Sequence, residues 1–314
     1  MAEITAALVK DLREKTGVGM MDCKTAITAT NGNTEEAIDW LRAKGLAKAA
    51  KKSTRVAAEG LVGVCIKGTV GAVVEVNSET DFVARNEKFQ AMVADISKLA
   101  INANGSSEAL KTMHFPNSPH AVAEYVAEMV ATIGENMTVR RTASVPVKGG
   151  VVADYIHNKQ ADGVGKIGVL VALESSGDKA KLLEFGRQIA MHIAAANPMV
   201  VTLDELPKEA IEKERAIYVE QAKAEPRNAG KSDEILAKAS EGRLRKEFFQ
   251  NVVLMLQVFV IDGKATVGEA LKAAEKTVGA PIKITRFARY ALGEGIDKKE
   301  EDFAAEVAKV VKGG

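Results

Sequence analysis

The chain has 314 residues, a length that favours two or three domains over one small core. Apolar residues make up 46% and charged residues 27%, which is typical of a folded protein and argues against a disordered chain. With 43 lysines and arginines against 42 acids, the sequence lacks the basic excess that general binding to nucleic-acid phosphates needs.

No segment is predicted to direct the chain to a membrane. The start of the sequence contains an acid and no long apolar run, unlike a signal or transit peptide. The longest apolar stretch, at 252–261, has about half of the ~20 residues that a membrane-spanning helix needs. We therefore expect a cytoplasmic protein without a membrane partner. Cys23 and Cys65 lack a CxxC spacing and are expected to be ordinary small residues rather than redox or metal-binding groups.

Residues 1–55 are predicted to form a small module of three short helices followed by a linker. Asn33 is a typical N-cap for the third helix, and Gly45 is expected to end that helix. Three apolar residues share one face of it by i, i+3, i+4 spacing: Ala37, Trp40 and Leu41. The segment 44–55 carries five lysines and arginines and no acid. A solvated linker or fraying helix end is favoured there over a phosphate-binding patch, because no aromatic residue is interleaved with the cations.

The central part of the chain repeats one order of elements, strand, strand, helix. The elements of the first half are predicted strands at 60–68 and 71–79 and a helix over 89–100. Those of the second half are predicted strands at 151–159 and 166–174 and a helix over 182–196. We therefore predict an α+β protein with two similar core halves built on antiparallel sheets, at 56–150 and 151–290.

A helical hairpin at about 204–249 is predicted to interrupt the second half. Two charged helical segments flank a Pro-Arg-Asn-Ala-Gly turn, which suits an antiparallel helix pair. The residues expected to face each other are Ile211, Tyr218 and Ala222 on one arm and Ile235, Ala239 and Leu244 on the other. The hairpin is either a packed helix pair or an arm for self-association or partner contact, and the sequence leaves both open.

Beyond the hairpin, two strands and two helices are predicted. The apolar run 251–263 is expected to return the chain to a strand, and residues 282–295 are expected to form another. Thr266 and Glu269 have the spacing of a capping box at the start of a helix. A terminal helix with one apolar face is predicted within the last segment, 291–314.

No catalytic or metal-binding constellation is recognisable in the sequence. GVGKIG at 163–168 has the letters of a dinucleotide fingerprint, but a strand follows where the pyrophosphate needs a helix N-terminus, so a hairpin turn is predicted. His114 and His120 flank a proline loop and are expected to meet solvent, whereas His192 is expected to be a hydrogen-bonded core residue. We expect no cofactor and no covalent chemistry. An unidentified enzyme that uses the cleft between the two core halves is kept as an alternative.

The most informative stretch is the junction NSETDFVARNEKF at 77–89, between a strand and a helix. An acid and an aromatic residue, Asp81 and Phe82, lie side by side in this polar connection. In one interpretation, Phe82 and Val83 plug the core while Asp81 caps the helix start. In the other, Phe82 is exposed and anchors a partner, because an aromatic residue on a rigid loop can carry much of the free energy of an interface.

This junction and further blocks of sequence resemble the translation elongation factor Ts family over nearly the whole chain. The matching blocks are MMDCKTAI at 20–27, EEAIDWLRAKG at 35–45, NSETDFVARNEKF at 77–89, IGENM at 133–137, KIGVLV at 166–171, QIAMHIAAANP at 188–198, EGRLRKEF at 241–248 and GEGIDKKEEDFAAEV at 293–307. Two features depart from the family pattern. The chain has Gln257-Val258-Phe259 where the family commonly has Gln-Pro-Phe, and its loop at 156–165 is longer than in shorter members.

The resemblance implies a guanine-nucleotide exchange factor that binds elongation factor Tu in its GDP-bound and nucleotide-free forms, without a cofactor. It also implies that the N-terminal module resembles a ubiquitin-associated three-helix fold. The residues that match the family's contact positions are Arg13, Met20 and Met21 in that module, Thr80, Asp81, Phe82 and Val83 at the junction, and His157. Asp81 and Phe82 match the pair that wedges between two helices of the partner's nucleotide-binding domain. His157 and the second core half match elements that reach the partner's nucleotide site and third domain, and the terminal helix matches an additional clasp.

A second function remains open at this point, a binding module that docks its N-terminal helices and the segment 44–55 on RNA or the ribosome. Its affinity would fall steeply with salt, because phosphate contacts release counterions. An apolar wedge should be less sensitive to salt. The exchange-factor interpretation, in contrast, requires no direct nucleic-acid partner.

Overall fold

The computed structural model describes residues 5–16, 18–228 and 231–297. It combines helices with antiparallel sheets, so the predicted α+β class is confirmed. The helices are α1 Ala6–Thr16, α2 Met20–Ala29, α3 Thr34–Lys52, α4 Asp81–Ala84, α5 Glu87–Ala100, α6 Ser107–Thr112, α7 Val122–Ile133, α8 Lys179–Ala196, α9 Lys208–Ala224, α10 Asp233–Arg243, α11 Gln250–Val252 and α12 Val267–Val278. The strands are β1 Glu59–Lys67, β2 Val70–Ser78, β3 Met137–Pro146, β4 Gly150–His157, β5 Val164–Gly165, β6 Ile167–Glu174 and β7 Lys283–Ala291. Most of the predicted terminal segment 291–314 lies outside the described residues.

Helices α1 to α3 pack around a small apolar core of their own. Its buried members are Val9, Leu12, Cys23, Ala26, Ile27, Ala37 and Leu41. Asn33 caps α3 as predicted, because its side-chain oxygen accepts hydrogen bonds from the backbone N–H groups of Glu35 and Glu36 at 3.1 and 3.3 Å. The predicted face of α3 is also confirmed, since Ala37 and Leu41 are buried and Trp40 packs beside them.

The prediction that Gly45 ends the third helix is wrong, because α3 continues to Lys52. A Cβ placed at Gly45 would lie only 3.0 Å from the Cβ of Ala131 in α7. The glycine therefore allows α3 and α7 to approach closely, and this packing outweighs the weak intrinsic tendency of glycine to interrupt a helix. As a result, the segment 44–52, predicted as a linker or a fraying end, is part of a long helix that lies against the core.

The rest of the chain forms four layers, with two sheets packed face to face between two layers of helices. One sheet has the strand order β3-β2-β1-β5 and the other β4-β6-β7. Apolar side chains from both sheets meet in the middle: Val62, Val64, Val73, Val145, Val147, Val152, Leu170 and Ala172. The opposite face of the first sheet packs on α5 and α7, and that of the second sheet packs on α8 and α12. The strands β1, β2 and β6 are buried on both faces, which explains why these three are so continuously apolar.

The hairpin exists, but its predicted seam is only partly correct. Ile235 is 54% exposed and Ala239 is also exposed, whereas Leu236 and Ser240 of α10 are buried. The buried face of this arm is therefore shifted by one residue from the predicted Ile235 and Ala239. It consists of Leu236, Ser240 and Leu244, which are spaced four residues apart. Ser240 can occupy this face because its hydroxyl donates to the backbone oxygen of Leu236 at 2.8 Å, so no polar group is left unpaired.

Residues 251–263 do not form the predicted strand. They form the end of α11, a short turn at Leu254–Leu256 and an extended stretch whose backbone bonds go to neighbouring loops instead of either sheet. Leu254 and Phe259 are buried, whereas Val258 and Val260 are exposed. Buried and exposed side chains therefore alternate around Phe259 as in a strand, although the backbone pairs with neither sheet. The capping box of Thr266 and Glu269 is confirmed, with both reciprocal hydrogen bonds present.

Candidate functional site

The Asp81-Phe82 pair lies on a one-turn helix, α4, between the end of β2 and the start of α5. Phe82 is 75% exposed, the largest exposed fraction among the large apolar side chains of the described residues. The next two residues point the other way, with Val83 only 4% and Ala84 only 2% exposed. Thus Val83 and Ala84 plug the core, as one interpretation of the sequence expected for Val83, while Phe82 projects into solvent.

Asp81 does not cap the helix, contrary to one of the two sequence interpretations. Thr80 occupies the N-cap position, and no side-chain cap hydrogen bond is present. The carboxylate of Asp81 instead accepts from the guanidinium of Arg85 at 2.7 Å, across one turn. Both side chains are well exposed, and such a pair contributes on the order of 0.5 kcal/mol. A partner could therefore draw Asp81 away from Arg85 at little cost.

The backbone before Phe82 is fixed by Glu135, which lies between α7 and β3. One carboxylate oxygen of Glu135 accepts from the N–H of Thr80 at 3.0 Å, and the other accepts from its hydroxyl at 2.8 Å. The hydroxyl of Ser78 in turn donates to the Thr80 carbonyl at 3.0 Å. Hydrogen bonds to an ionised acceptor are among the stronger ones in proteins, so the approach to Phe82 is rigid.

The candidate residues of the N-terminal module lie on its outer surface. Met20 and Met21, at the start of α2, are 45% and 72% exposed, and Arg13 of α1 is also exposed. The opposite side of α2 carries Cys23 into the module's core. These three residues are thus available to a partner, but they lie on elements separate from the Phe82 turn and do not form a joint pocket with it.

His157 ends β4 at the edge of the second sheet and is exposed. Its Nδ1 lies 3.2 Å from the hydroxyl of Tyr155, two residues back on the same face of the strand. The following loop closes tightly, because Asn158 and Gly163 adopt positive φ values of 50° and 74°. The predicted turn at 163–168 is therefore only partly correct, because Gly163 belongs to the turn whereas Val164–Gly165 form β5 and β6 begins at Ile167.

The cations of the segment 44–55 are largely paired within the chain. Lys44 and Lys48 both bind the carboxylate of Asp22, at 3.3 and 2.9 Å. The hydrogen bond from Lys48 is the main reason that the pKa of Asp22 lies below its usual value, against an opposing effect of burial. Lys52 donates to the carbonyl of Gly134, and Arg55 pairs with Glu79 at 3.4 Å. These contacts hold α3 in place and reduce the charge that the segment offers to a phosphate.

His192 is a satisfied core histidine, as expected. Its Nε2 lies 2.9 Å from the side-chain oxygen of Gln257, and its Nδ1 accepts from the N–H of Val260 at 3.3 Å. The amide nitrogen of Gln257 is already engaged by the carbonyl of Asn251 at 2.7 Å, so the histidine Nε2 carries the proton. Burial is the main cause that lowers the pKa of His192, against the opposing effect of this hydrogen bond to Gln257.

The prediction that His120 meets solvent is wrong. Its side chain is 14% exposed and lies between two carboxylates, with Nδ1 3.3 Å from Glu124 and Nε2 2.9 Å from Glu128. His114 is exposed as expected. In the described part of the chain, no three His, Cys, Asp or Glu side chains converge in a manner that could hold a metal ion. Of the described helices, none has the length and apolar character required to cross a membrane.

Sequence reasoning missed Glu135 and the strand that follows it. Residues 137–146 begin with an apolar and polar alternation in which Met137 and Val139 are buried, and this pattern could have predicted the start of β3. Nothing local to Glu135 shows that it reaches Thr80, which is 55 positions away in the chain. The only available signal was that both residues belong to blocks that match the same family, IGENM and NSETDFVARNEKF.

Comparisons with known proteins agree with this resemblance. The family model described as Elongation factor TS matches residues 79–294. The Elongation factor Ts of Parvibaculum lavamentivorans is 58% identical over 313 residues, covering 100% of both chains. The proteins of the same name from Rhizobium etli and Rhodospirillum centenum are each 56% identical, over 100% and 99% of both chains. Similarity of this extent leaves the fold and family beyond doubt. The chain therefore belongs to the elongation factor Ts family of translation elongation factors.

Proposed function

We propose that this protein promotes release of GDP from elongation factor Tu, and that Phe82 acts as a wedge in the partner's nucleotide-binding domain. The observation that carries the proposal is the 75% exposure of Phe82 on a turn whose neighbours, Val83 and Ala84, are buried. An exposed aromatic side chain on a rigid support is typical of a residue that dominates the free energy of an interface. Membership of the elongation factor Ts family supports the choice of partner.

The wedge needs no covalent chemistry, because it acts by differential binding. GTP-binding proteins hold their nucleotide through backbone N–H groups around the phosphates and through Mg²⁺, which demands near-ideal octahedral geometry. Phe82 gains apolar burial only where two helices of the partner separate to admit it. A separated state displaces the groups that hold phosphate and Mg²⁺. The protein thus stabilises the partner's state that binds nucleotide poorly.

Thermodynamic linkage makes this effect reciprocal. By whatever factor the protein weakens nucleotide binding to its partner, the nucleotide weakens binding of the protein by the same factor. The exchange reaction therefore passes through a transient complex of protein, partner and nucleotide. Excess GDP should dissociate the nucleotide-free complex and so reset the cycle.

The remaining candidate residues fit roles at the edges of the same interface. Met20 and Met21 offer flexible apolar surface, and Arg13 offers a charged donor, for the partner's nucleotide-binding domain. Asp81 can exchange its exposed bond to Arg85 for a donor on the partner. His157, held by Tyr155 at the end of β4, would contact the partner near its nucleotide site. In this proposal the second core half contacts the partner's third domain.

The experiment that tests the function measures dissociation of a fluorescent GDP analogue from elongation factor Tu in Mg²⁺ buffer. The proposal predicts strong acceleration when this protein is added, and loss of the preformed nucleotide-free complex when excess GDP is added. A properly folded protein that leaves the release rate at its spontaneous value would overturn the proposed function.

The same assay at increasing salt addresses the alternative of an RNA-binding or ribosome-binding module. Asp22 binds both Lys44 and Lys48 and so offsets one of their two positive charges, which weakens the case for that alternative. Acceleration of GDP release that persists at high salt is expected for an apolar wedge. Tight binding to RNA that weakens steeply with salt, without acceleration of GDP release, would favour the alternative instead.

A further inference from the structure

We infer that Glu135 is a positioning residue that holds Phe82 in its outward, partner-ready orientation. The inference rests on the proposed function and deepens it, because it assigns a role to a residue that makes the wedge effective. The decisive contact is the fork between the Glu135 carboxylate and Thr80, which engages the backbone N–H at 3.0 Å and the hydroxyl at 2.8 Å. Two bonds from one planar group fix both the position and the direction of the chain at Thr80.

The helix that carries Phe82 needs such external support. Helix α4 has only four residues, and a single turn fixes several backbone angles for very few hydrogen bonds, so it is unstable alone. Its C-terminal side is anchored by Val83 and Ala84, which are buried in the core. Its N-terminal side is anchored by the fork at Thr80. Phe82 lies between the two anchors, so loss of either one should let the ring turn or the helix unwind.

Glu135 is itself held firmly, which makes it a suitable support. It follows Gly134, which ends α7 with a φ of 95°, and precedes Asn136, which is only 7% exposed. The Asn136 side chain donates to the carbonyl of Arg55 at 2.8 Å, and its backbone N–H donates to Glu79. The segment 134–136 is therefore bonded on both sides of the carboxylate that supports Thr80.

The same short segment also bonds to the end of the long helix α3. Lys52 donates to the carbonyl of Gly134, and Arg55 shares Glu79 with Asn136. The N-terminal module is thereby tied to the structure that fixes the Phe82 turn. A displacement of Glu135 should affect Phe82 first, because its carboxylate contacts Thr80 directly.

The test is a double-mutant cycle on GDP release from elongation factor Tu. Glu135→Ala should reduce the acceleration by about tenfold or more, since small misplacements of a functional group can have effects of that size. In a Phe82→Ala background the same change should have an additional effect below about twofold, because the group being positioned is gone. Losses that multiply fully in the double variant would show a general structural effect and would overturn the inference.

Two conservative variants separate positioning from folding. Glu135→Gln keeps one oxygen acceptor and should retain part of the acceleration that Glu135→Ala loses. Thr80→Val removes only the hydroxyl bond and should give a loss intermediate between wild type and Glu135→Ala. If Glu135→Ala, Glu135→Gln and Thr80→Val all accelerate GDP release as much as wild type does, the inference is wrong.

A matched control removes a carboxylate elsewhere in the same core half. Glu108 of α6 is paired with Lys111 at 2.9 Å and does not contact the Phe82 turn. The Glu108→Ala variant should therefore accelerate GDP release from elongation factor Tu as much as wild type does. The two proposals can fail separately. Full activity of Glu135→Ala beside a defective Phe82→Ala refutes the positioning role alone, whereas full activity of folded Phe82→Ala refutes the wedge itself.

Discussion

Phe82 keeps three quarters of its surface in water, whereas Phe89, seven residues later, is completely buried. Leaving a phenylalanine exposed forgoes roughly 1.5–3 kcal/mol of burial free energy. A partner that encloses the ring recovers this energy only in the bound state, which makes the residue useful for differential binding. The sequence shows that Phe82 lies in the connection between a strand and a helix. It could not show that Val83, and not Phe82, turns inward, because the rotation of the turn is set by Glu135.

His192 gives a residue-scale prediction about pH. Its pKa in the folded state is lowered, mainly by burial, so the unfolded state takes up a proton first as the pH falls. The stability that the neutral ring contributes is complete above the unfolded pKa of about 6.5 and is lost as the pH drops through the folded value. Protonation would also place a hydrogen on Nδ1, against the N–H of Val260.

The measurement is the free energy of unfolding by denaturant at several values between pH 8 and pH 5. We expect the free energy of unfolding of wild type to decline as the pH falls. The decline should be smaller in His192→Leu, although that variant is less stable at every pH. Phe185→Leu, a change in the same core without a titrating group, should lower stability and keep the wild-type slope. Identical slopes in wild type and His192→Leu would contradict the assignment.

At the scale of elements, local signals predicted two helix starts correctly and failed where packing decides. Asn33 and the Thr266–Glu269 box fixed two helix starts correctly, because caps depend on neighbours in sequence. Gly45 was taken for a helix end, although its lack of a side chain serves contact with Ala131 in a distant helix. The run 251–263 likewise had a strand-like pattern, but no backbone pairing to either sheet.

Gly45 yields a prediction at this scale. Gly45→Leu should push α3 away from α7 and destabilise the protein by roughly 1–3 kcal/mol, as expected for overpacking. Gly242 also lies in a helix, but a Cβ placed there would have no atom within 4 Å apart from its own stretch of helix. Gly242→Leu should therefore leave the protein's stability unchanged or raise it by up to about 0.8 kcal/mol. Urea unfolding of both variants compares these effects. Equal stability of the two variants would contradict the close α3–α7 contact.

At the scale of the whole molecule, Glu75 joins the two stacked sheets. Its carboxylate is completely buried and accepts from the N–H of Gly293, just after β7, at 2.9 Å. It also pairs with Arg140 and Arg141 of β3. Burial acts to raise the pKa of Glu75, but the donors of Gly293, Arg141 and Asn77 outweigh it, so the pKa lies below its usual value.

This link predicts how stability depends on pH. Because the folded pKa of Glu75 is lowered, its contribution is complete above the unfolded pKa of about 4.3 and is lost as the pH falls through the folded value. Glu75→Gln should cost on the order of 3 kcal/mol at pH 7, since it leaves buried donors without a charged acceptor. The difference from wild type should narrow below about pH 4.

Denaturant unfolding at pH 7 and at pH 3.5 checks the prediction. Glu247→Gln is the matched control, because it removes a carboxylate that pairs with Arg243 on the exposed hairpin surface. The Glu247→Gln change should leave the free energy of unfolding nearly unchanged at both pH values. A Glu75→Gln variant as stable as wild type at pH 7 would show that the buried carboxylate does not tie the sheets together.

The two strand-strand-helix units could be predicted from periodicity, which is a local property of the sequence, whereas β3 was missed and the run 251–263 was wrongly assigned to a strand. The stacking of the two sheets could not be predicted, because it depends on which face of a doubly apolar strand meets which partner. Nothing local in the sequence shows that Glu75 is buried, because its partners Arg140, Arg141 and Gly293 come from distant parts of the chain. The supporting role of Glu135 was hidden for the same reason.

The most direct measurement is the rate of fluorescent GDP release from elongation factor Tu with wild type, Phe82→Ala and Val56→Ala. Val56 is a matched control, since it is apolar and 50% exposed but lies between α3 and β1, away from the proposed contact residues. Loss of a dominant contact of about 2–4 kcal/mol predicts binding weaker by about 30- to 700-fold and correspondingly slow release with Phe82→Ala. Val56→Ala should match wild type. Wild-type release rates with folded Phe82→Ala would contradict the account.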